Sequence, residues 1–321
     1  MLQSLQGYPP PPFPGVINGT ANVDPEKKKR VLQAVEETGF VPNEVARSLF
    51  RKSARLIGLI IPNLVNPFFT QLAAHIDTAA AQSGYRVFLC SVDQDDQRVK
   101  SSLQMLMSMN ADGVVLAVSS PEIQSFLPQF HIPIVAVDCM QTTDHVLASF
   151  YCDYYQGGRM AMEHLLSCGC RKVVCIRSDQ NQFSARMRYL GYSEVCKEQG
   201  IQEFTLDCDY NFRSGLEMTR ELLEVFPDAD GILACNDIVA ASTFKVLHSR
   251  AIRVPEQMQL VGFDDIFLSR LVTPELTTIR QPIQEMAHAA VDYLVNQSDQ
   301  QQVSPRIFPV TLMVRETTRP R

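Results

Sequence analysis

From Leu56 onward, short apolar runs alternate with stretches in which apolar residues recur at helical spacing. The runs are LIGLII (56–61), YRVFLC (85–90), GVVLAV (113–118), PIVAV (133–137), KVVCI (172–176), GILA (231–234) and QLVGF (259–263). Each is too short for an ordinary helix and apolar on both faces, which is the pattern of strands buried on both sides of a parallel sheet. Between the first two, Phe69, Leu72, Ala73, Ile76 and Ala80 share one helical face, and Gly84 suits the end of that helix. Val99, Leu103, Leu106 and Met107 repeat the pattern between the next two. Strand and helix alternating in this way predict an α/β fold with helices on both faces of a mainly parallel sheet. The region spans about 260 residues, enough for two such lobes.

The first 55 residues read differently. Prolines stand at 9, 10, 11, 12 and 14. Proline fixes φ and lacks an N–H, so residues 1–15 are expected as an extended, disordered arm. A helix is expected next, with Asp24 as N-cap, Pro25 in its first position and Glu26 at its positive end. Val31, Leu32, Val35 and Phe40 supply its apolar stripe and Gly39 its C-terminal cap. A second short helix begins at Asn43, in NEVARSL, and a polar linker, FRKSAR, follows it.

Charge sharpens this division. The chain as a whole carries −6, yet Lys27, Lys28, Lys29, Arg30, Arg47, Arg51 and Lys52 crowd into its N-terminal end. A basic end on an acidic body fits a small module for an anionic partner, although a solvated helix face would look the same by charge alone. The nine cysteines are scattered, mostly inside apolar runs, which fits free thiols in a reducing compartment better than a disulfide framework. Cys168-Gly169-Cys170 reads as a turn, and no metal site is expected. No apolar run approaches the ~20 residues of a membrane span. The N-terminus lacks the cationic and apolar segments of a secretory signal. A cytoplasmic protein with no membrane partner is the expectation.

For catalysis the sequence offers little. GxSxG, HExxH, Walker and GxGxxG patterns are absent, and the six histidines show no triad or ligand spacing. Neither an enzyme nor a cofactor is expected. What stands out instead is a set of polar groups just past the carboxyl ends of strands, the edge where open α/β sheets bind ligands. Asn66-Pro67-Phe68-Phe69 follows the first strand, Asp138 follows PIVAV, Asn236-Asp237 follows GILAC and Asp264-Asp265 follows QLVGF. Gln281 follows LTTIR, and Arg188 lies early in the helix of SARMRYLGY. Carboxylates, amides and a guanidinium bond hydroxyls in pairs, and aromatic faces cover the apolar face of a sugar ring. Taken singly, Asp264 could simply cap a helix and Phe68 or Phe69 could be core.

Several segments carry a more specific likeness. VINGTANVDPEKKKRVLQAVEETGFVPNEVARSL resembles the end of a LacI/GalR-family headpiece, and RLIGLIIPNLVNPFF resembles the start of that family's effector domain. RMRYLGY, LACNDIVAAS, IRVPEQMQLVGFDD and TPELTTIRQP resemble its later markers in order and spacing. The likeness covers about residues 16–320. It implies a two-lobed, periplasmic-binding-protein-like domain of two parallel, doubly wound sheets with an effector in the cleft. A partial, all-α DNA-binding headpiece and hinge helix would precede it. On this reading residues 1–15 are the arm, 16–55 the partial headpiece and hinge helix, and 56–321 the effector domain. Its N-lobe is drawn from about 56–153 and 282–310, its C-lobe from about 154–281 and 311–321.

The resemblance assigns the effector cleft to Asn66, Phe68, Phe69, Asp138, Arg188, Tyr210, Asn236, Asp264 and Gln281. It assigns DNA contact to the hinge segment, with Asn43, Ala46, Arg47 and Leu49; the leucine would wedge a minor-groove base step. NPFF with the aspartates, Arg188, Asn236 and Gln281 is similar to the ribose-binding branch. That branch carries an arginine after the aspartate, where this chain has Cys139, so ribose, another pentose, a hexose and a sugar acid all stay open. The expected partners are operator DNA, a small sugar effector with ribose or another pentose favoured, and a second copy of the chain. In the place of a recognition helix stands QGYPPPPFPG, so impaired operator recognition is also expected. The alternative is a cytosolic sugar-binding protein without specific DNA binding.

Overall fold

The computed structural model describes residues 53–93, 95–140, 145–296 and 305–319, together with Pro25, Glu26, Lys29, Arg30 and Gln33. The chain divides into two units, residues 1–54 and 55–321. In the first unit Pro25, Glu26, Lys29, Arg30 and Gln33 are helical and exposed, within the span expected from the Asp24-Pro25 start, and Ser53 and Ala54 are half-buried and outside any helix. The proline-rich arm and the DNA-contact set Asn43, Ala46, Arg47 and Leu49 lie outside the described residues.

The second unit holds two six-stranded sheets. The first is built from β1 (Leu56–Ile61), β2 (Arg86–Ser91), β3 (Gly113–Leu116), β4 (Ile134–Val137), β5 (Val146–Cys152) and β11 (Arg306–Phe308). Their spatial order is β11-β5-β4-β3-β1-β2, every pair parallel. The second is built from β6 (Val173–Arg177), β7 (Phe204–Asp207), β8 (Gly231–Ala234), β9 (Gln259–Asp264), β10 (Thr277–Arg280) and β12 (Thr311–Met313). Its order is β12-β10-β9-β8-β6-β7, parallel except for β12 against β10. The chain crosses between the sheets three times: after β5, after β10 and after β11.

All seven apolar runs became strands. Five strands were not among them, for identifiable reasons. Ser149 interrupts β5, and Thr277 and Thr278 open β10, yet all three side chains are buried. The threonines read as polar but have partners: Thr277 pairs with the Thr318 hydroxyl at 2.9 Å and Thr278 donates to Asp237 at 2.6 Å. β7, β11 and β12 are edge strands of three or four residues, too short and too exposed to carry a hydrophobic pattern. β3 ends two residues before its apolar run does. Ala117 and Val118 stay buried and form wall rather than ladder.

The helices follow the expected spacing. α1 (Pro67–Gln82) is capped by Asn66, whose side chain accepts from the Phe68 N–H at 3.0 Å, and Pro67 occupies its first turn. Phe68, Leu72, Ile76, Ala79 and Ala80 make its buried face, and Gly84 follows at φ +77. α2 (Asp96–Ser108), capped by Asp95, buries Val99, Leu103 and Leu106. α3 (Pro121–Phe126) is a single short turn. In the second lobe, α4 (Tyr154–Ser167) and α5 (Phe183–Gln199) meet through glycines. A Cβ on Gly158 would sit 2.0 Å from the Arg188 carbonyl oxygen, and one on Gly191 would sit 2.1 Å from that of Tyr155. Only a residue without a side chain allows backbones this close. α6 (Phe212–Val225), α7 (Asp237–Ser249), α8 (Leu268–Leu271) and α9 (Ile283–Val295) complete the layers. Among the described residues, no helix is long and apolar enough to cross a membrane.

Candidate functional site

A cavity of about 70 Å³ lies where the carboxyl ends of strands from both sheets meet. Eight of the nine residues expected in the cleft line it: Asn66, Phe68, Phe69, Asp138, Arg188, Tyr210, Asn236 and Asp264. The ninth, Gln281, is buried behind the wall and donates its amide to Asp264 Oδ1 at 2.7 Å. Phe68 and Phe69 enter from the first turn of α1 and pack edge to face, centroids 5.2 Å apart.

The backbone pays for this placement at the two aspartates. Asp138, just past β4, has φ +60, and Asp264, last in β9, has φ +116, with Asp265 at +57 beside it. Left-handed φ at a non-glycine residue costs of order 1–3 kcal/mol and clusters at ligand sites. Here it turns the chain out of each sheet edge at the residue that lines the cavity. The carboxylate pairs divide their work. Asp265 leaves the cavity for Arg315, Arg280 at 2.6 Å and the Ser269 hydroxyl at 2.9 Å. Burial acts to raise its pKa, but these donors outweigh it and hold the carboxyl below the ordinary value. Asp237 lies beneath the turn, accepting from Thr278 at 2.6 Å and from the Ile266 N–H at 2.9 Å.

Arg188 organises the remaining groups. Its Nη1 donates to the Cys235 carbonyl at 2.7 Å and its Nη2 to Asp264 Oδ1 at 3.3 Å. The guanidinium lies on the Phe263 ring, 3.8 Å from the centroid. With both carboxylate and carbonyl partners, the buried cation is compensated. Burial pushes Asp264 up to about 6 despite Arg188 and Gln281. Burial likewise pushes Asp138 up to about 7, although the Tyr154 hydroxyl donates to its Oδ1 at 2.6 Å. Tyr210 is raised above the ordinary phenol value by burial, with Arg188 opposing.

Among the described residues, five buried side-chain polar atoms have no hydrogen-bond partner in the protein, and four belong to this group. They are Arg188 Nε, Tyr210 Oη, Asn236 Nδ2 and Gln281 Oε1. Asn236 shows how this arises. Its Oδ1 caps α7 by accepting from the Val239 N–H at 2.9 Å, which leaves its amide N–H groups unbound. Buried donors and acceptors left unpaired each cost about 1–3 kcal/mol. Their concentration around one cavity matches a ligand dense in hydroxyls.

Sequence reasoning missed Tyr154, which orients Asp138, and Pro62, Asn63, Gln182 and Ser184, which also line the cavity. Pro62 and Asn63 directly follow β1, a signal of the same kind as the others. Tyr154 stands two residues past β5, a strand absent from the apolar runs, and it starts a helix, fully buried, sixteen residues from its partner.

Two parallel lobes, a polar cavity at their facing strand ends and a chain that crosses between them three times define the two-lobed, periplasmic-binding-protein-like class. A family model for the periplasmic binding protein-like domain matches residues 162–318. The ribose operon repressor of Halalkalibacterium halodurans is 36% identical over 311 residues, 95% of this chain and 92% of that protein. A periplasmic binding protein/LacI transcriptional regulator of Alkaliphilus metalliredigens QYMF, complexed with D-xylulofuranose, is 32% identical with a TM-score of 0.74. That match covers 82% of this chain and 99% of the other. A LacI family transcriptional regulator of Enterococcus faecium with bound ribose is 25% identical, TM-score 0.74, covering 83% of this chain and 99% of the other. This chain belongs to the LacI/GalR family of transcriptional regulators.

Proposed function

We propose that the protein is a transcriptional repressor, working in the cytoplasm as a homodimer on operator DNA. Its DNA affinity is modulated by a small sugar held in the cavity between the lobes, ribose or another pentose. It acts by binding, with no catalytic step. One observation carries the effector reading: four unpaired buried polar atoms and two raised carboxyls surround a cavity edged by Phe68, Phe69 and Tyr210. A furanose or pyranose ring presents hydroxyls to such groups and its C–H face to the aromatics. The similarity to the ribose operon repressor and to the sugar-bound regulators supports both the effector class and the DNA partner. The test combines calorimetry against pentoses, hexoses and sugar acids with DNA retardation on candidate palindromes, with and without the bound sugar. A pentose that binds and alters retardation supports the proposal. Retardation indifferent to every sugar bound overturns it.

A second reading has one observation in its favour. The sequence carries prolines, which disfavour a helix interior, at 9, 10, 11, 12 and 14, in the stretch expected to correspond to the family's recognition helix. Major-groove readout depends on such a helix. A protein that binds sugar but discriminates palindromes from scrambled DNA by less than ~10³-fold would fit that reading better.

A further inference from the structure

All nine cysteines are free and buried, and two of them meet behind the candidate site. Cys208 directly follows β7 and Cys235 directly follows β8, the two strands that flank β6. Both pack in one apolar cluster with Val174, Ile176 and Ala234, and their thiols share a hydrogen bond. Their surroundings differ. Cys208 lines an open cavity of about 470 Å³ with Arg177, Asp209 and Ser214, so a small solute can approach it. Its sulfur lies 3.1 Å from the Asp209 carbonyl oxygen and 3.4 Å from the Ser214 hydroxyl. The bond with Cys235, helped by Ser214, holds this thiol below the usual value against burial and the Asp209 carboxylate. Cys235 lies further inside, in a wall shared with Arg188 and Tyr210, and burial pushes its thiol well above the usual value. An approachable thiol of lowered pKa beside a second, protonated thiol is what an attacking and a resolving cysteine require.

We infer that Cys208 and Cys235 form a reversible disulfide that lowers affinity for the sugar. The effect on affinity rests on the effector reading above; the bond itself does not. With hydrogen peroxide as the oxidant, the Cys208 thiolate attacks one peroxide oxygen, the O–O bond breaks, and a sulfenic acid forms on Cys208. The hydroxide that leaves takes up the proton Cys208 lost on ionising. The Cys235 thiol then attacks the Cys208 sulfur, its proton joins the departing hydroxyl as water, and the S–S bond closes. Two thiols lose two hydrogens in all, and one peroxide becomes two waters. Strands two places apart in a sheet lie about 9.5 Å from each other, whereas a disulfide requires Cα atoms within roughly 7 Å. Closing the bond therefore draws together the segments past β7 and β8. Those segments carry Tyr210, two residues from Cys208, and Asn236, next to Cys235. The Cys235 carbonyl is also the acceptor that holds Arg188 Nη1 at 2.7 Å. A bond closed against strain is readily reduced, which makes the change reversible where cellular thiols are present.

The experiment treats the full chain with hydrogen peroxide as wild type, Cys208→Ser and Cys235→Ala, and returns half of each sample to dithiothreitol. Alkylation and peptide mass spectrometry locate the linkage. Calorimetry with a panel of pentoses, D-ribose included, reads affinity, each protein being compared with its own reduced form. The oxidised wild type is expected to carry a Cys208–Cys235 crosslink and to bind the pentose at least tenfold more weakly, the scale of one hydrogen bond to a charged group. Dithiothreitol is expected to reverse both. Cys208→Ser is expected to bind within about twofold of wild type and to keep that affinity in peroxide. Cys235→Ala is expected to stop at a sulfenic acid on Cys208, trapped by dimedone. If the reduced wild type binds a pentose but no Cys208–Cys235 linkage forms, or if the linkage forms and affinity stays within twofold, the switch is overturned and the effector reading stands. If peroxide weakens Cys208→Ser as much as wild type, oxidation acts elsewhere and the assignment is wrong. If the reduced wild type binds no pentose, the effector reading falls, and the control of affinity falls with it whatever the linkage.

Discussion

Replacing Gly158 by alanine tests whether helix packing sets the proposed sugar site. In an open helix interior this change stabilises by up to ~1 kcal/mol, because alanine has the higher helix propensity. At position 158 the new Cβ would stand 2.0 Å from the Arg188 carbonyl oxygen and 2.9 Å from its carbonyl carbon. Ordinary contact begins near 3.4 Å, so α4 and α5 must separate by roughly 1 Å or more. The obstructing atoms are backbone in mid-helix and cannot rotate away. Overpacking of this kind costs about 1–3 kcal/mol, or roughly 2–4 °C in Tm per kcal/mol for a domain of this size. The same displacement shifts Arg188 against its fixed partners, the Cys235 carbonyl at 2.7 Å and Asp264 at 3.3 Å. Hydrogen bonds to charged groups contribute about 1.5–3 kcal/mol, so effector affinity should fall tenfold or more. Thermal melts and calorimetry read the two effects separately. A Gly158→Ala protein that melts at or above the wild-type temperature and binds sugar as well would refute both the packing and its link to Arg188.

Other expectations can be checked alongside. Arg188→Ala and Asp264→Ala should each weaken sugar binding by about 1.5–3 kcal/mol; unchanged affinity in both would mean the site lies elsewhere. Asp138 has its folded pKa raised to about 7, so the folded state holds a proton that the unfolded state releases between about pH 4 and 7. Its contribution to the stability of the sugar-free protein therefore falls as pH rises through that window and is level above it. Sugar hydroxyls donating to the ionised form reverse the direction for binding. Affinity should rise about tenfold from pH 6 to pH 8, a slope set by one group titrating near 7, and Asp138→Asn should flatten it. Sedimentation at micromolar concentration should return a dimer mass; a monomer there would remove the geometry for a palindromic operator.

Sequence and structure contributed unequally to different parts of this protein. Continuous apolar runs such as LIGLII and QLVGF could be read directly, because a strand buried on both faces leaves no polar position to confuse the pattern. Caps such as Asn66-Pro67 could be read because they are local chemistry. The short edge strands and the threonine-rich β10 could not. Their stability comes from neighbours distant in sequence, as when Thr278 bonds Asp237 forty-one residues away.

The candidate site divides along the same line. That polar groups past strand ends would share an edge follows from strand direction, which is a property of the chain pattern. Which member of each pair faces the cavity does not. Asp264 and Asp265 are equivalent as letters, and only the left-handed turn and the Arg280–Arg315 cluster send one to the cavity and the other away. Tyr154 beneath Asp138 is likewise a product of tertiary packing. So are the raised carboxyls, since burial that shifts a titration exists only once the lobes have closed around the group. A cavity of about 280 Å³ lined by Ala117 and Val118, where they leave their sheet, and by the loop at Asp179 belongs to no single segment, so no local pattern could announce it.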